Sequence, residues 1–185
     1  MVYLFLAEGF EEIEALTPVD ILRRAGIDVK TIGVTGKKVK GAHGILVEAE
    51  GTLYDVQFNE DLDGVILPGG MPGTINLENS EEVLLSVQYA KEHQKLVAAI
   101  CAAPSVLGHM GYLEGKEAIA FPGFETELTG ATISKEPVCR DGNIVTAKGM
   151  GVATEFALAI VAYFKGSEKA KEIFASLQAM ERCAQ

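Results

Sequence analysis

The chain has 185 residues, 48% of them apolar, with 20 glycines, three cysteines and a formal charge of −10 at pH 7. That length suits one compact domain spanning residues 1–185 with a sizeable core. The acidic balance leaves no basic surplus to neutralise phosphates, which excludes nucleic acid as the expected partner.

Val2–Ala7 is a continuous apolar run and reads as a first buried strand, not as a signal peptide, because it has neither a basic region nor a cleavage site. Glu11–Ala25 is helical and stops at Gly26, a favoured residue after a helix end. Pro18 lies inside it and is expected to kink it or tighten a turn. Asp28–Val34 is a second strand, and Lys38–Glu48, with His43-Gly44 at its middle, reads as an edge hairpin. Asp63–Leu67 is a third buried strand ending at Pro68-Gly69-Gly70. Ser80–His93 is a helix with Asn79 or Ser80 as its cap and Val83, Leu84, Val87 and Ala90 as its apolar stripe. Leu96–Ile100 is the next strand, and after Cys101 and Pro104 a helical pattern begins. Ala118–Phe121 reads as a short strand. Ala131–Ala147 reads as two strands joined at Asp141-Gly142, a hairpin signal. An apolar helix, Val152–Phe164, and an amphipathic one, Ser167–Arg182, complete the chain. Phe156–Phe164 is too short to span a membrane. Buried strands alternating with helices predict an α/β fold with a mostly parallel sheet and helices on both faces.

Cys101, Cys139 and Cys183 form no C-x-x-C, so neither a disulfide framework nor a zinc pattern is present, in keeping with a reducing cytoplasm. Cys101 sits on a turn between a strand and a helix. The positive end of that helix dipole is expected to favour its thiolate. The competing reading is a packed, inert cysteine, since free cysteines are among the most buried residues. The strand-to-helix turn favours the reactive one.

In open α/β sheets the site lies beyond the carboxyl ends of the strands. Three segments fall there: the run from Glu8 to Glu14, Gly69-Gly70, and Cys101-Ala102. Gly69-Gly70, beside the Ala102 N–H, offers bare backbone donors to an oxyanion or an oxidised sulfur, although a tight turn explains Pro-Gly-Gly equally well. Of the glutamates Glu8, Glu11, Glu12 and Glu14, most are expected to serve the helix dipole and face water. Glu14, seven residues before Ile21, is the one most easily turned inward, where its pKa would rise. No Cys–His dyad is legible. His93 ends a surface helix, His109 lies two turns beyond Cys101, and His43 is in the hairpin. The loop Phe121-Pro122-Gly123-Phe124-Glu125 either walls a pocket or packs onto the core.

Four ordered motifs, A-E-G-F-E-E-I-E-A-L-T-P-V-D at 7–20, V-I-L-P-G-G at 65–70, A-A-I-C-A-A-P at 98–104 and E-F-A-L-A-I-V at 155–161, resemble the DJ/ThiJ/PfpI superfamily in its protein-deglycase branch. The resemblance runs over nearly the whole chain. It implies a flavodoxin-like three-layer sandwich, a homodimer, and neither cofactor nor metal. It implies that Cys101 is the nucleophile or redox-sensing thiol, that Glu14 is the protonated acid at that sulfur, and that the Gly70 and Ala102 N–H groups bind anions. Implied activities are hydration of methylglyoxal to lactate without a cofactor and deglycation of early adducts, so a small 2-oxoaldehyde or glycated substrate. Implied alternatives are chaperone or oxidative-stress roles with Cys101 oxidised to sulfinic acid. Three departures stand out. Ala102 replaces the histidine of the protease-like branch, which argues against a peptidase. Phe121 stands where several relatives have a histidine. His43 and Lys148 stand where relatives often carry an arginine, or an arginine or glutamine, and His43 could serve the partner subunit's pocket.

Overall fold

In a computed structural model the described residues are 1–178. Seven strands form the central sheet: β1 (Val2–Leu6), β2 (Val29–Gly33), β5 (Gly51–Thr52), β6 (Gly64–Leu67), β7 (Leu96–Ile100), β10 (Val138–Asp141) and β11 (Ile144–Ala147). They lie in the order β10-β11-β7-β6-β1-β2-β5, parallel except for β10 on β11. The inner order β2-β1-β6-β7-β11 is that of a flavodoxin-like doubly wound sheet.

Strand periodicity sorts the core into two layers. Val2, Leu4 and Leu6 of β1 pack on one side with Ala15 and Leu22 of α1 (Glu12–Arg24), Phe156 and Ile160 of α5 (Ala153–Lys165) and Ile173 of α6 (Ser167–Ser176). Tyr3 and Phe5 point to the other side, with Leu77 of α2 (Gly73–Glu78), Val83 and Val87 of α3 (Glu81–Glu92) and Val106 and Leu107 of α4 (Pro104–His109). Burial on both faces explains why these strands read as unbroken apolar runs. Among the described residues no helix is long and apolar enough to cross a membrane.

Several expectations need correction. Pro18 lies inside α1, which runs unbroken from Glu12 to Arg24. The missing N–H costs only the bond to the Glu14 carbonyl. The 38–48 hairpin forms, as β3 (Lys38–Lys40) on β4 (Leu46–Glu48), but as a separate sheet. Helix α2 and strand β5 were not legible in the sequence, being short and lacking a period of their own. The strand expected at Ala118–Phe121 is only β8 (Glu117–Ala118), and it pairs with β9 (Thr132–Ile133), so 131–147 holds three strands. Ser80, not Asn79, caps α3 by accepting from the Val83 N–H. The tail of the last expected helix and Cys183 lie outside the described residues.

Candidate active site at the end of the sheet

Strand β7 delivers Cys101 to the carboxyl edge of the sheet, and the chain then turns sharply. Cys101 adopts φ 66°, a left-handed conformation that costs a non-glycine residue about 1–3 kcal/mol. Two bonds hold it there: its N–H donates to the Ala147 carbonyl at 2.9 Å and its carbonyl accepts from the Phe121 N–H at 2.7 Å. This is a strained strand-to-helix elbow that holds the thiol at the edge of the sheet.

Glu14 reaches the same point from α1. Glu11 caps the helix, its Oε2 accepting from the Glu14 N–H at 2.7 Å. Glu14 itself is fully buried, and its Oε2 accepts from the Gly69 N–H at 3.0 Å. Among the described residues its Oε1 has no partner in full hydrogen-bonding geometry, while the Cys101 thiol and the Met150 N–H lie close enough to influence its titration. Burial pushes the Glu14 carboxyl up to about 7, the Glu11 charge adding to the rise and the Cys101, Gly69 and Met150 donors opposing it.

The Cys101 thiol is pushed up to about 12, first by burial and then by the Glu14 charge and the hydrogen bond to it. The Ala102 and Gly70 N–H groups act the other way. The expected help from the helix dipole is overruled. Helix α4 has only six residues and begins three positions later, whereas burial and a carboxylate act directly on the sulfur. Two acids in contact cannot both ionise cheaply, so they titrate as a pair. While Glu14 keeps its proton its Coulomb push on the sulfur is gone, and the Ala102 and Gly70 N–H groups then act mainly against burial.

The Pro-Gly-Gly turn is more than a turn. A Cβ on Gly69 would lie 2.6 Å from Cys101 Cβ and 2.6 Å from Glu14 Oε2. Gly70 adopts φ +92° with Gly9 and Glu11 backbone against it. The Gly69 N–H donates to Glu14 Oε2, while the Ala102 and Gly70 N–H groups act on the Cys101 sulfur.

The other predicted residues fall elsewhere. Phe121, 47% exposed, lies in a loop and not a strand. It lines an apolar cavity of about 320 Å³ with Pro122, Lys148, Gly149, Met150, Gly151 and Val152. Sequence reasoning missed Gly149 and Met150, which cap and open a short 3-10 turn, Met150–Val152, that carries no motif. An added Cβ on Gly149 would approach Phe121 to 3.2 Å and Glu14 Oε1 to 3.9 Å. Glu12, expected to face water with most of its neighbours, is buried. It accepts from the N–H groups of His43 and Ile45 and from His43 Nδ1 at 3.0 Å. His43 is thus tied to α1 of its own chain and does not meet Cys101. The Glu11, Glu12 and His43 ligand atoms lie within 4.8 Å of one another, a composition that could hold a cation. The bonds to the Glu14 N–H and within the hairpin account for the cluster without one. His93 stacks on Tyr89 at 3.9 Å.

His109 is used structurally. Its Nδ1 meets Glu78 of α2 at 2.5 Å, and its Nε2 meets Glu127, which follows the Phe121 loop, at 3.0 Å. Only the imidazolium donates from both nitrogens, and these contacts raise its pKa, the Glu127 bond most. The stabilisation is therefore complete below the unfolded value near 6.5. It is lost as pH rises through the higher folded value. His109→Leu is expected to lower the melting temperature below about pH 6 and to converge on wild type in alkaline solution. A pH-independent difference in thermal scans would contradict this.

The geometry joins an elbow cysteine to a buried carboxyl on one sheet edge, and comparison with known proteins agrees. The DJ-1/PfpI family pattern matches residues 1–163. The chain belongs to the DJ-1/PfpI family. It is 35% identical over 178 residues to the Parkinson disease protein 7 homolog of Danio rerio, covering 94% of each chain. It is 35% identical over 173 residues to protein dj-1beta of Drosophila melanogaster, covering 92% of each. Among solved structures, oxidized Toxoplasma gondii DJ-1 superposes with a TM-score of 0.92 at 36% identity, over 97% of this chain and 98% of that one. Drosophila melanogaster DJ-1beta superposes with a TM-score of 0.90 at 34% identity, over 97% and 98%. The family brings a flavodoxin-like fold, which the strand order matches.

Proposed function

We propose that this DJ-1-like protein is a cysteine-dependent, cofactor-independent glyoxalase or deglycase of the stress response, acting on methylglyoxal or early glycation adducts. The observation that carries the reading is the pairing of Cys101 with a buried carboxyl whose pKa stands at about 7. A group titrating near neutrality both accepts and returns a proton in one turnover. The Cys101 thiolate adds to the aldehyde carbon, and the resulting oxyanion of the hemithioacetal takes the proton from Glu14. Glu14, now a carboxylate, removes the hydrogen from that carbon and returns it to the neighbouring one, while the hydroxyl proton passes to the neighbouring oxygen and the first carbon becomes the carbonyl of a Cys101 thioester. Water then releases the 2-hydroxy acid and regenerates the thiol. The Gly70 and Ala102 N–H groups face the developing negative charge. Members of the family are glyoxalases or deglycases, which supports the assignment; peptidase chemistry has no histidine at position 102 to serve it.

The test is lactate formation from methylglyoxal by the reduced protein and by Cys101→Ser. Saturable turnover that falls by at least about 10³-fold in the variant is expected, because the covalent route is removed. Equal rates would overturn the reading. A second one, a non-catalytic redox sensor or chaperone, draws support from the oxidized state of the Toxoplasma relative and from the two N–H groups able to hold sulfinate oxygens. It expects two oxygens to be added by dilute peroxide at Cys101 with Cys139 and Cys183 spared. Buried Cys139, bonded to the Glu117 carbonyl, is poorly placed to compete.

We propose a cytoplasmic homodimer as the working form. Exposed Ile13 and Leu16 on α1 and Ile45 and Leu46 on the hairpin, two elements joined through Glu12, offer the apolar area it requires.

A further inference from the structure

The cavity walled by Phe121, whose N–H donates to the Cys101 carbonyl at 2.7 Å, has one charged group on an otherwise apolar wall. Phe121, Pro122, Met150 and Val152 supply hydrocarbon and ring surface, and Lys148 supplies the charge. Among the described residues the Lys148 ammonium has no ion pair within 4 Å, although its charge reaches Glu125, which is held below the usual carboxylate range first by its own and the Gly123 N–H and last by Lys148. The Lys148 backbone is fixed by its N–H to the Pro137 carbonyl at 2.9 Å, directly after β11. The side chain thus projects from a rigid point.

The placement matters because the surroundings are hostile to anions. The chain carries a charge of −10, and Glu11 and Glu14 lie behind the site. On the far side of the 121–124 loop a second cavity, of about 250 Å³, is flanked by Glu78 and Glu127 around His109. A ligand in the Phe121–Val152 cavity meets apolar surface and the Lys148 ammonium, the one charged group on its wall. We infer that the Lys148 cavity selects 2-oxoaldehydes bearing a carboxylate on an apolar body, the aldehyde at Cys101 and the carboxylate at Lys148. This deepens the glyoxalase reading and rests on it. Lys148 acts here as a specificity-determining residue. It touches the substrate tail and takes no part in proton transfer.

The experiment has two arms. The first compares phenylglyoxal with 4-carboxyphenylglyoxal, which share the reacting group and differ by one carboxylate. Wild type is expected to favour the anionic substrate in kcat/KM through KM. That ratio is expected to fall about fivefold to tenfold in Lys148→Met, and further in Lys148→Glu, the size of one partly solvated charge contact. An unchanged ratio overturns the inference. The second arm needs no turnover. Alkylation of Cys101 by iodoacetate and by iodoacetamide is followed at the Cys101 peptide by mass spectrometry. The iodoacetate-to-iodoacetamide rate ratio is expected to fall about threefold or more in Lys148→Met and to fall again in Lys148→Glu. A ratio that ignores residue 148 removes Lys148 from the field at the sulfur and overturns the inference. Absent turnover with a responsive alkylation ratio would count against the glyoxalase reading and in favour of anion selection at Lys148.

Discussion

Glu14→Gln is expected to stabilise the protein in mildly alkaline solution relative to acid, by about 3 kcal/mol between about pH 4 and pH 8. The sign follows from the direction of the shift. In the unfolded chain Glu14 releases its proton near the usual 4.5, and in the folded protein it does so at about 7. Between those values the folded state binds more protons than the unfolded one, so stability falls as pH rises, with the full loss reached above about 7. At about 1.4 kcal/mol per unit, the gap of roughly 2.5 units gives the figure above. Glutamine keeps an oxygen for the Gly69 N–H and never ionises, so the variant escapes the loss. Any fixed packing cost of the amide appears equally at both pH values and drops out of the comparison. Urea unfolding of both proteins across the range checks it, and parallel curves would show that Glu14 titrates normally. The same carboxyl is useful for chemistry because it is expensive to ionise, which is a familiar exchange of stability for function.

The central strands were legible in the sequence because burial on both faces forces them to be apolar runs. Their termini, Pro68-Gly69-Gly70 and Cys101, were legible because a sharp turn demands small residues. What the sequence could not show was which of several identical side chains is buried. Glu11, Glu12 and Glu14 look alike within one helical turn, yet Glu11 caps the helix, Glu12 is enclosed by the hairpin backbone of His43 and Ile45, and only Glu14 meets Cys101. The Glu11 cap is local, but the placements of Glu12 and Glu14 depend on chain segments some 30 to 90 residues away, which periodicity does not see. The direction of the Cys101 shift was misread for a related reason. The dipole of the following helix is a local feature visible in sequence, whereas desolvation and the Glu14 charge are tertiary and larger. Residues 149 and 150 left no signal, since a single 3-10 turn is too short to have a periodicity of its own.

Gly69→Ala is expected to cost about 3 kcal/mol or more and to break the contact between Glu14 and Cys101. The backbone at Gly69 would accept an alanine, since no positive φ is required there. Space is what forbids it. The new methyl would sit 2.6 Å from Cys101 Cβ, 2.6 Å from Glu14 Oε2 and 2.9 Å from the Ile100 carbonyl oxygen. None of the three can retreat cheaply. Cys101 is pinned through its N–H and carbonyl to Ala147 and Phe121, Ile100 is locked in the central strand, and Glu14 is bonded to the Gly69 N–H itself. Relief requires moving β6 away from β7, or expelling the Glu14 side chain from its buried position, and either leaves a buried polar group unpaired. Gly151→Ala is the matched control, because a Cβ there meets nothing within 4 Å. Urea midpoints of the two variants should separate widely. In Gly69→Ala the Cys101 alkylation profile should also change its dependence on pH, since the carboxyl that sets the titration of the sulfur has been displaced. A Gly69→Ala protein as stable as the control, with an unaltered profile, would mean that the close approach of β6 to the elbow does not exist in solution.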